Sequence, residues 1–401
     1  MFAILDGGDI EFTVDSLLAA AERQTGLSDW GDRSFLVALG KLVDSFRTDA
    51  FPTMSEERVK AMGPSLVALL KARLQVLDDR KKYPEIAEEK IVRPIFFIGH
   101  ARTGSTFIQT LFAQDPANVA PEFWEMMLPS PPPKFGMGDE RRERVAEIMR
   151  WHMEAAPGFE TQHPYFIEEG FRALAECGSI MEMSFASYQF YAFYRVPSYN
   201  EWFVQADMRE PVDFHHKMLQ HLQWGRPGRH WVSKAVEHGI YLDALLDEYP
   251  DAHFVWTHRD PYDQMGSFAS NICTVRQYGG KPVTDFEEPT QQTIQAVRQT
   301  FDRAIAVRDK ADPSRFSDVY YRNLTRDPIG VIRGIYEKLG RPLTAEAELR
   351  MQSWLRNNKP DKHGAHIYDP KDFGITHEGI REAFSEYLKR FDYVFNPEVM
   401  A

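Results

Sequence analysis

Four short runs constrain the fold more than anything else in this chain: "PIFFIG" near 94, "WVSKA" near 231, "HFVWTH" near 253 and "SDVYYRNL" near 317. Each is rich in apolar, β-branched or aromatic residues, and each is followed by a turn and a helical pattern. Strands buried on both faces read as near-continuous apolar runs, and strands joined through helices run parallel. An α/β fold built on a parallel sheet is the expectation.

Two helical regions surround this pattern. Residues 13–82 carry apolar positions at helical spacing, as in "TVDSLLAAAERQTG" and "DRSFLVALGKLVDSFR". The segment from Thr53 to Pro84 has Thr53 and Glu56 in capping-box spacing, and Gly63 with Pro64 predicts a break within it. Residues 1–90 are therefore expected to form an amino-terminal helical layer, and 91–401 an α/β domain. A helical insertion at about 139–225 interrupts that domain and is crowded with aromatics in "SFASYQFYAFYR". Phe185, Tyr188, Tyr191, Phe193 and Tyr194 suit a pocket for an apolar or aromatic alcohol, and their spacing equally suits core packing.

Charge narrows the partners. Of 401 residues, 26% are charged and the formal net charge is -12, which opposes nonspecific contact with nucleic acid or an anionic membrane. Any phosphate chemistry should then be enclosed. No run approaches the roughly 20 apolar residues of a membrane span, and "MFAILDGGDIEF" lacks the basic flank and apolar core of a signal peptide. Cytoplasmic residence is expected. Cys177 and Cys273 show no paired-ligand spacing, and His215 and His216 are adjacent rather than a helical turn apart, so neither a disulfide framework nor a metal cluster is expected.

Chemistry concentrates after the first strand. In "PIFFIGHARTGSTF" a strand runs into a small-residue loop and a helix, so backbone N–H groups and the positive end of the helix dipole can converge on an anion. The nucleotide-triphosphate loop G-x-x-x-x-G-K-[ST] does not fit: Gly99 and Gly104 have the right separation, but Ser105 stands where the lysine should be. A second segment, "FVWTHRDPYDQMGSFAS", places Arg259 at a strand end and Ser267 eight residues on. An arginine fork and a hydroxyl at that separation can hold one terminal phosphate.

Together the two segments resemble the nucleotide signature of sulfotransferases that use 3'-phosphoadenosine 5'-phosphosulfate (PAPS), in the bacterial branch whose phosphosulfate loop reads R-T-G-[ST]-T. "WEMMLPSPPP", "LQHLQWGRPGRHWVSKAVEHGIYLDALLDEYPDAHFVWTHRDP", "YRNLTRDPIGVIRGIYEKLG" and "HGAHIYDPKDFGI" extend the likeness over most of the chain. Ala101 and "KAVEHG" depart from the branch's usual proline-containing forms. The resemblance implies a P-loop-like parallel sheet flanked by helices, related to nucleotide kinases. It implies that Arg102, Thr103, Gly104, Ser105, Thr106 and Phe107 hold the 5'-phosphosulfate side of PAPS and that Arg259 and Ser267 hold the 3'-phosphate. Arg102 and Lys234 would stabilise the transferring group without a metal, and His238 would deprotonate an acceptor hydroxyl on a small molecule, lipid or carbohydrate.

Alternatives stay open at this stage. Glu237, Glu168 or Glu169 could serve as the base instead of His238. The turn-rich "NNKPDKHGAHIYDPKDFGI" could close over the site, or be a loop packed by Tyr368 and Phe373. A small-molecule kinase needs a loop lysine and magnesium-binding carboxylates, and Asp260 is the only acidic residue immediately after a core strand. A noncatalytic nucleotide-binding protein would not need Lys234 and His238.

Overall fold

A computed structural model describes residues 10–158, 163, 168–226, 229–359 and 368–391. His363 and His366 of the turn-rich segment lie outside the described residues. The chain divides into two compact units, one of Met1–Ile91, Pro121–Pro227 and Thr274–Val283, the other of Val92–Ala120, Gly228–Cys273 and Thr284–Ala401. No described helix is long and apolar enough to cross a membrane.

The first unit is helical. Its amino-terminal part comprises α1 (Val14–Thr25), α2 (Phe35–Ser45) and α3 (Glu56–Lys82). Thr13 caps α1 by accepting the Ser16 N–H at 3.3 Å, as its residue type favours. Two expectations are corrected at α3. Its cap is Ser55, which accepts from the Arg58 N–H at 3.4 Å, and the helix runs unbroken through Gly63 and Pro64. A proline in a helix interior forfeits one backbone hydrogen bond and costs about 3 kcal/mol. Burial of Met62, Leu66, Val67, Leu69, Leu70, Leu74 and Val76 along the same helix outweighs that local cost.

The insertion shares this unit. Arg73 of α3 donates to Glu210 at 2.8 Å and to the Ser184 hydroxyl at 3.0 Å, and its guanidinium lies over the rings of Phe35 and Phe214. The aromatic run proves to be core: Phe185, Tyr188, Tyr191 and Tyr194 are all buried. Phe185 packs against Phe35, Tyr194 against Phe46 and Phe193 against Tyr278. Packing claims these rings, not an open pocket, because the amino-terminal helices present a complementary apolar face.

The second unit holds the sheet. Its strands are β1 (Ile95–Phe97), β2 (Asn118–Val119), β3 (His230–Lys234), β4 (His253–His258) and β5 (Phe316–Tyr320), all parallel, in the order β2-β3-β1-β4-β5. The four expected strands are present, and helices flank them. The fifth, β2, has two residues and no apolar run to announce it. Central β1 is completely buried between β3 and β4.

Strand order fixes where a ligand belongs. From β1 the chain passes through α4 (Ser105–Ala113) to the β2 edge, whereas from β4 it passes to β5 on the opposite side. Connections leaving the adjacent strands β1 and β4 therefore diverge, which opens a crevice at their carboxyl ends. The loops bearing Arg102 and Arg259 are the two that leave these strands.

Candidate active site

The loop after β1 is shaped by close packing. A Cβ on Gly99 would lie 1.8 Å from the Thr257 hydroxyl, so only glycine lets the loop run against β4. Thr103, fully buried, donates its hydroxyl to the His100 carbonyl at 2.7 Å and pairs with Thr257 at 2.6 Å. Those bonds occupy the Thr103 hydroxyl and leave its backbone N–H as the group it can offer to an anion. Gly104, at φ 84°, precedes α4 without a side-chain cap. The first N–H groups of α4 thus lack the capping oxygen that would otherwise occupy them.

Arg102 itself is held at φ 66°, a left-handed conformation that costs a non-glycine residue about 1 kcal/mol or more. Its Nε donates to the Ser267 hydroxyl at 2.8 Å, and its carbonyl accepts from Arg259 at 3.1 Å. Ser267 lies in the second turn of the helix Pro261–Val275, and Gln264 of that helix donates to the Ala101 carbonyl at 2.9 Å. The loops expected to serve the two ends of one nucleotide are therefore tied to each other at three points.

The end of β3 closes the third side. Lys234 pairs in register with Phe97 of β1, and its ammonium donates to the Thr106 hydroxyl at 2.8 Å. Arg102, Lys234 and Arg259 place three cations around the start of α4. Phe107 of α4 packs against Trp354, with ring centroids 5.9 Å apart.

His238 follows in the loop after β3, completely buried. Its Nδ1 lies 2.8 Å from the Phe97 carbonyl and must carry the proton as donor, which leaves Nε2 as the lone-pair nitrogen. That Nε2 has no hydrogen-bond partner among the described residues. Burial lowers the imidazole from its ordinary value to about 4, against the opposing Phe97 hydrogen bond, and Lys234 lowers it further. The ring is therefore held in its neutral form at neutral pH. Glu237 is also buried, with the Tyr241 hydroxyl 3.4 Å from its carboxylate. Glu168 and Glu169 belong to the helical unit and are exposed there.

Asp260, the carboxylate a magnesium site would need, accepts the Tyr262 N–H at 2.8 Å and so serves the start of its own helix. Burial pushes its pKa up, which disfavours the charged form a cation would require.

Arg102, Thr106, Lys234, Arg259 and Ser267 are thus brought together by contacts within one unit. Sequence reasoning missed Gln264 and Tyr321. The Tyr321 ring lies 4.7 Å from the Arg259 guanidinium, and a Cβ on Gly104 would come within 3.1 Å of it. Its position directly after β5, at the carboxyl edge where the other site residues sit, was the available signal.

Comparison with known proteins bears on the family and the fold. The family model described as "Sulfotransferase family" matches residues 94–345, from the residue before β1 to beyond β5. The omega-hydroxy-beta-dihydromenaquinone-9 sulfotransferases Stf3 of Mycobacterium bovis and Mycobacterium tuberculosis are each 25% identical to this chain over 252 residues, 62% of this chain and 62% of theirs. The chain thus spans about three fifths of the length of the curated relatives it matches. The crystal structure of sulfotransferase STF9 from Mycobacterium avium superimposes with a TM-score of 0.85 at 29% identity, covering 96% of this chain and 98% of that one. Sulfotransferase STF1 from Mycobacterium tuberculosis gives a TM-score of 0.79 at 29% identity, covering 94% and 99%. A family match over well more than half of the sequence, spanning all five strands of the sheet, places the conclusion beyond fold alone: this chain belongs to the sulfotransferase family.

Proposed function

We propose that the chain transfers a sulfuryl group from PAPS to the hydroxyl of a small, lipid-like alcohol in the cytoplasm. The observation that carries this reading is the cluster of Arg102, Lys234 and Arg259 with Ser267 around the uncapped start of α4. PAPS would supply the activated sulfuryl group. The residues present fit such an anion, since backbone N–H groups, three cations and two hydroxyls converge. The lipid-like acceptor rests on the name of the Stf3 relatives.

In this reading Arg259 and Ser267 bind the 3'-phosphate, and the α4 amino terminus with Ser105 and Thr106 binds the 5' side. Phe107 borders the nucleotide. Arg102 and Lys234 neutralise charge as it builds on the leaving oxygen, so no metal is needed for that role. His238 takes the acceptor proton at Nε2, with Nδ1–H fixed on Phe97.

Thermal titration separates this from a kinase. 3'-Phosphoadenosine 5'-phosphate should stabilise the protein in the presence of EDTA, and ATP with magnesium should not. Arg259→Ala should weaken the bisphosphate by about tenfold to a hundredfold, from a charged hydrogen bond of about 1.5–3 kcal/mol. Equal affinity for AMP and the bisphosphate would show that no 3'-phosphate site exists. A second measurement tests the base: His238→Ala should retain bisphosphate binding and lose about 10²–10⁴ in transfer rate. An unchanged rate would move the role to Glu237, Glu168 or Glu169.

A further inference from the structure

The helix Pro261–Val275 has two working faces. Gln264 and Ser267, three residues apart, face the loop after β1 through their contacts with Ala101 and Arg102. Tyr262 and Gly266, four apart, share another face, and residues 368–377 occupy it. The Tyr262 ring stacks on His377 with centroids 3.6 Å apart and planes at 17°. The Tyr368 hydroxyl donates to the Asp263 carbonyl at 3.2 Å. A Cβ on Gly266 would lie 2.7 Å from Pro370 Cγ and 3.0 Å from Tyr368 Cε2.

Gly266 is not there for its backbone. It is absent from the positive-φ glycines, and glycine lowers helix stability in an interior turn. The need is steric: without a side chain, the helix admits Pro370 and Tyr368 to its flank. That wedge is itself braced. Pro370 opens a short turn, Pro370–Phe373, in which Asp369 accepts the Lys371 N–H at 3.0 Å and the Ile375 N–H donates to the Pro370 carbonyl at 3.1 Å. Phe373 packs against Phe286, with ring centroids 5.3 Å apart and planes tilted by 38°.

We infer that the Pro370–Tyr368 wedge seated in the Gly266 slot positions Ser267, and thereby sets the affinity for the phosphate that Ser267 receives. The inference rests on the nucleotide reading proposed above. The helix is held between the wedge on one face and the Arg102 loop on the other, with Ser267 next in sequence to the slot. A displaced wedge changes the rotation of the turn that carries the Ser267 hydroxyl, while the α4 amino terminus stays as it is.

The test uses the full chain and two probes, 3'-phosphoadenosine 5'-phosphate and AMP, with dissociation constants from calorimetry. Gly266→Ala should weaken the bisphosphate about tenfold or more and leave AMP within about threefold. Adding Pro370→Gly, which vacates the space the new methyl needs, should recover most of the loss. A Gly266→Ala protein that still prefers the bisphosphate as wild type does overturns the inference, as does a double variant that fails to recover. If wild type itself shows no preference over AMP, the nucleotide reading falls first and takes the inference with it. Should Gly266→Ala not fold, Tyr368→Ala with Pro370→Gly removes both ring contacts and the hydroxyl bond to Asp263 without adding an atom. Unchanged bisphosphate affinity in that variant also overturns the proposal.

Discussion

Arg102→Ala should lower sulfuryl transfer by about 10²–10³ while the protein remains folded. The size follows from losing one preorganised donor aimed at charge that develops in the transition state. Arg102→Lys should recover part of the rate, because a point charge remains but the planar fork that now reaches Ser267 is gone. The more telling variant is Arg102→Gly. At φ 66° the wild-type residue sits where glycine has no steric penalty, so this substitution should raise the thermal midpoint slightly as it removes activity. Opposite movements of stability and rate would mark a residue retained against local strain for its chemistry. Initial rates with PAPS and an acceptor alcohol, beside melting curves of the same samples, decide the matter. An Arg102→Gly protein with wild-type rate would exclude Arg102 from the transfer step.

The legible part of this molecule was whatever rests on local pattern. Strands β1, β3, β4 and β5 declared themselves because burial on both faces demands continuous apolar runs, and the turn from β1 into α4 because small residues separate an apolar run from a helical pattern. What was not legible depends on contacts distant in sequence. Continuity of α3 across Pro64 is decided by the apolar surface it buries, not by its own residues. The Phe185–Tyr194 aromatics could line a pocket or fill a core, and only the facing Phe35 and Phe46 settle which. Likewise His238 reads as an ordinary imidazole until the Phe97 carbonyl fixes its tautomer and burial lowers its pKa. Gln264 and Tyr321 carry no motif at all; they matter because a parallel sheet brings the ends of β1, β4 and β5 to one edge.

Burial of histidines has a consequence larger than any single site. His100 is held at about 3 and His221, His238 and His253 at about 4, in each case first because burial penalises the charged ring. All four are buried in the folded chain, and an unfolded histidine titrates near 6.5. Below about pH 6.5 the unfolded state therefore binds more protons than the folded state, and stability falls as pH falls. The contribution is complete above the unfolded value and lost progressively towards pH 4. At pH 5 each such group forfeits about 2 kcal/mol, a sizeable share of the about 5–15 kcal/mol that holds a typical domain. Buried Glu125, Glu182 and Asp79, whose pKa values burial raises, take up protons early in the folded state and oppose the trend. Asp318, held low by Arg308 and His258 despite its burial, adds to the acid loss at still lower pH. His100, His238 and His253 belong to the sheet-containing unit, where Asp260 and Asp302, also raised by burial, offset part of the loss; His221 belongs to the helical unit together with Glu125, Glu182 and Asp79. Acid should accordingly unfold the sheet unit first, between about pH 6 and 4, with nucleotide binding lost before the helical signal collapses. His253→Gln, at the opposite end of β4 from Arg259, should move that transition to lower pH, since one fewer group then charges on unfolding. Circular dichroism and bisphosphate binding followed from pH 8 to 4 provide the check, and a chain that binds nucleotide normally at pH 4 would contradict it.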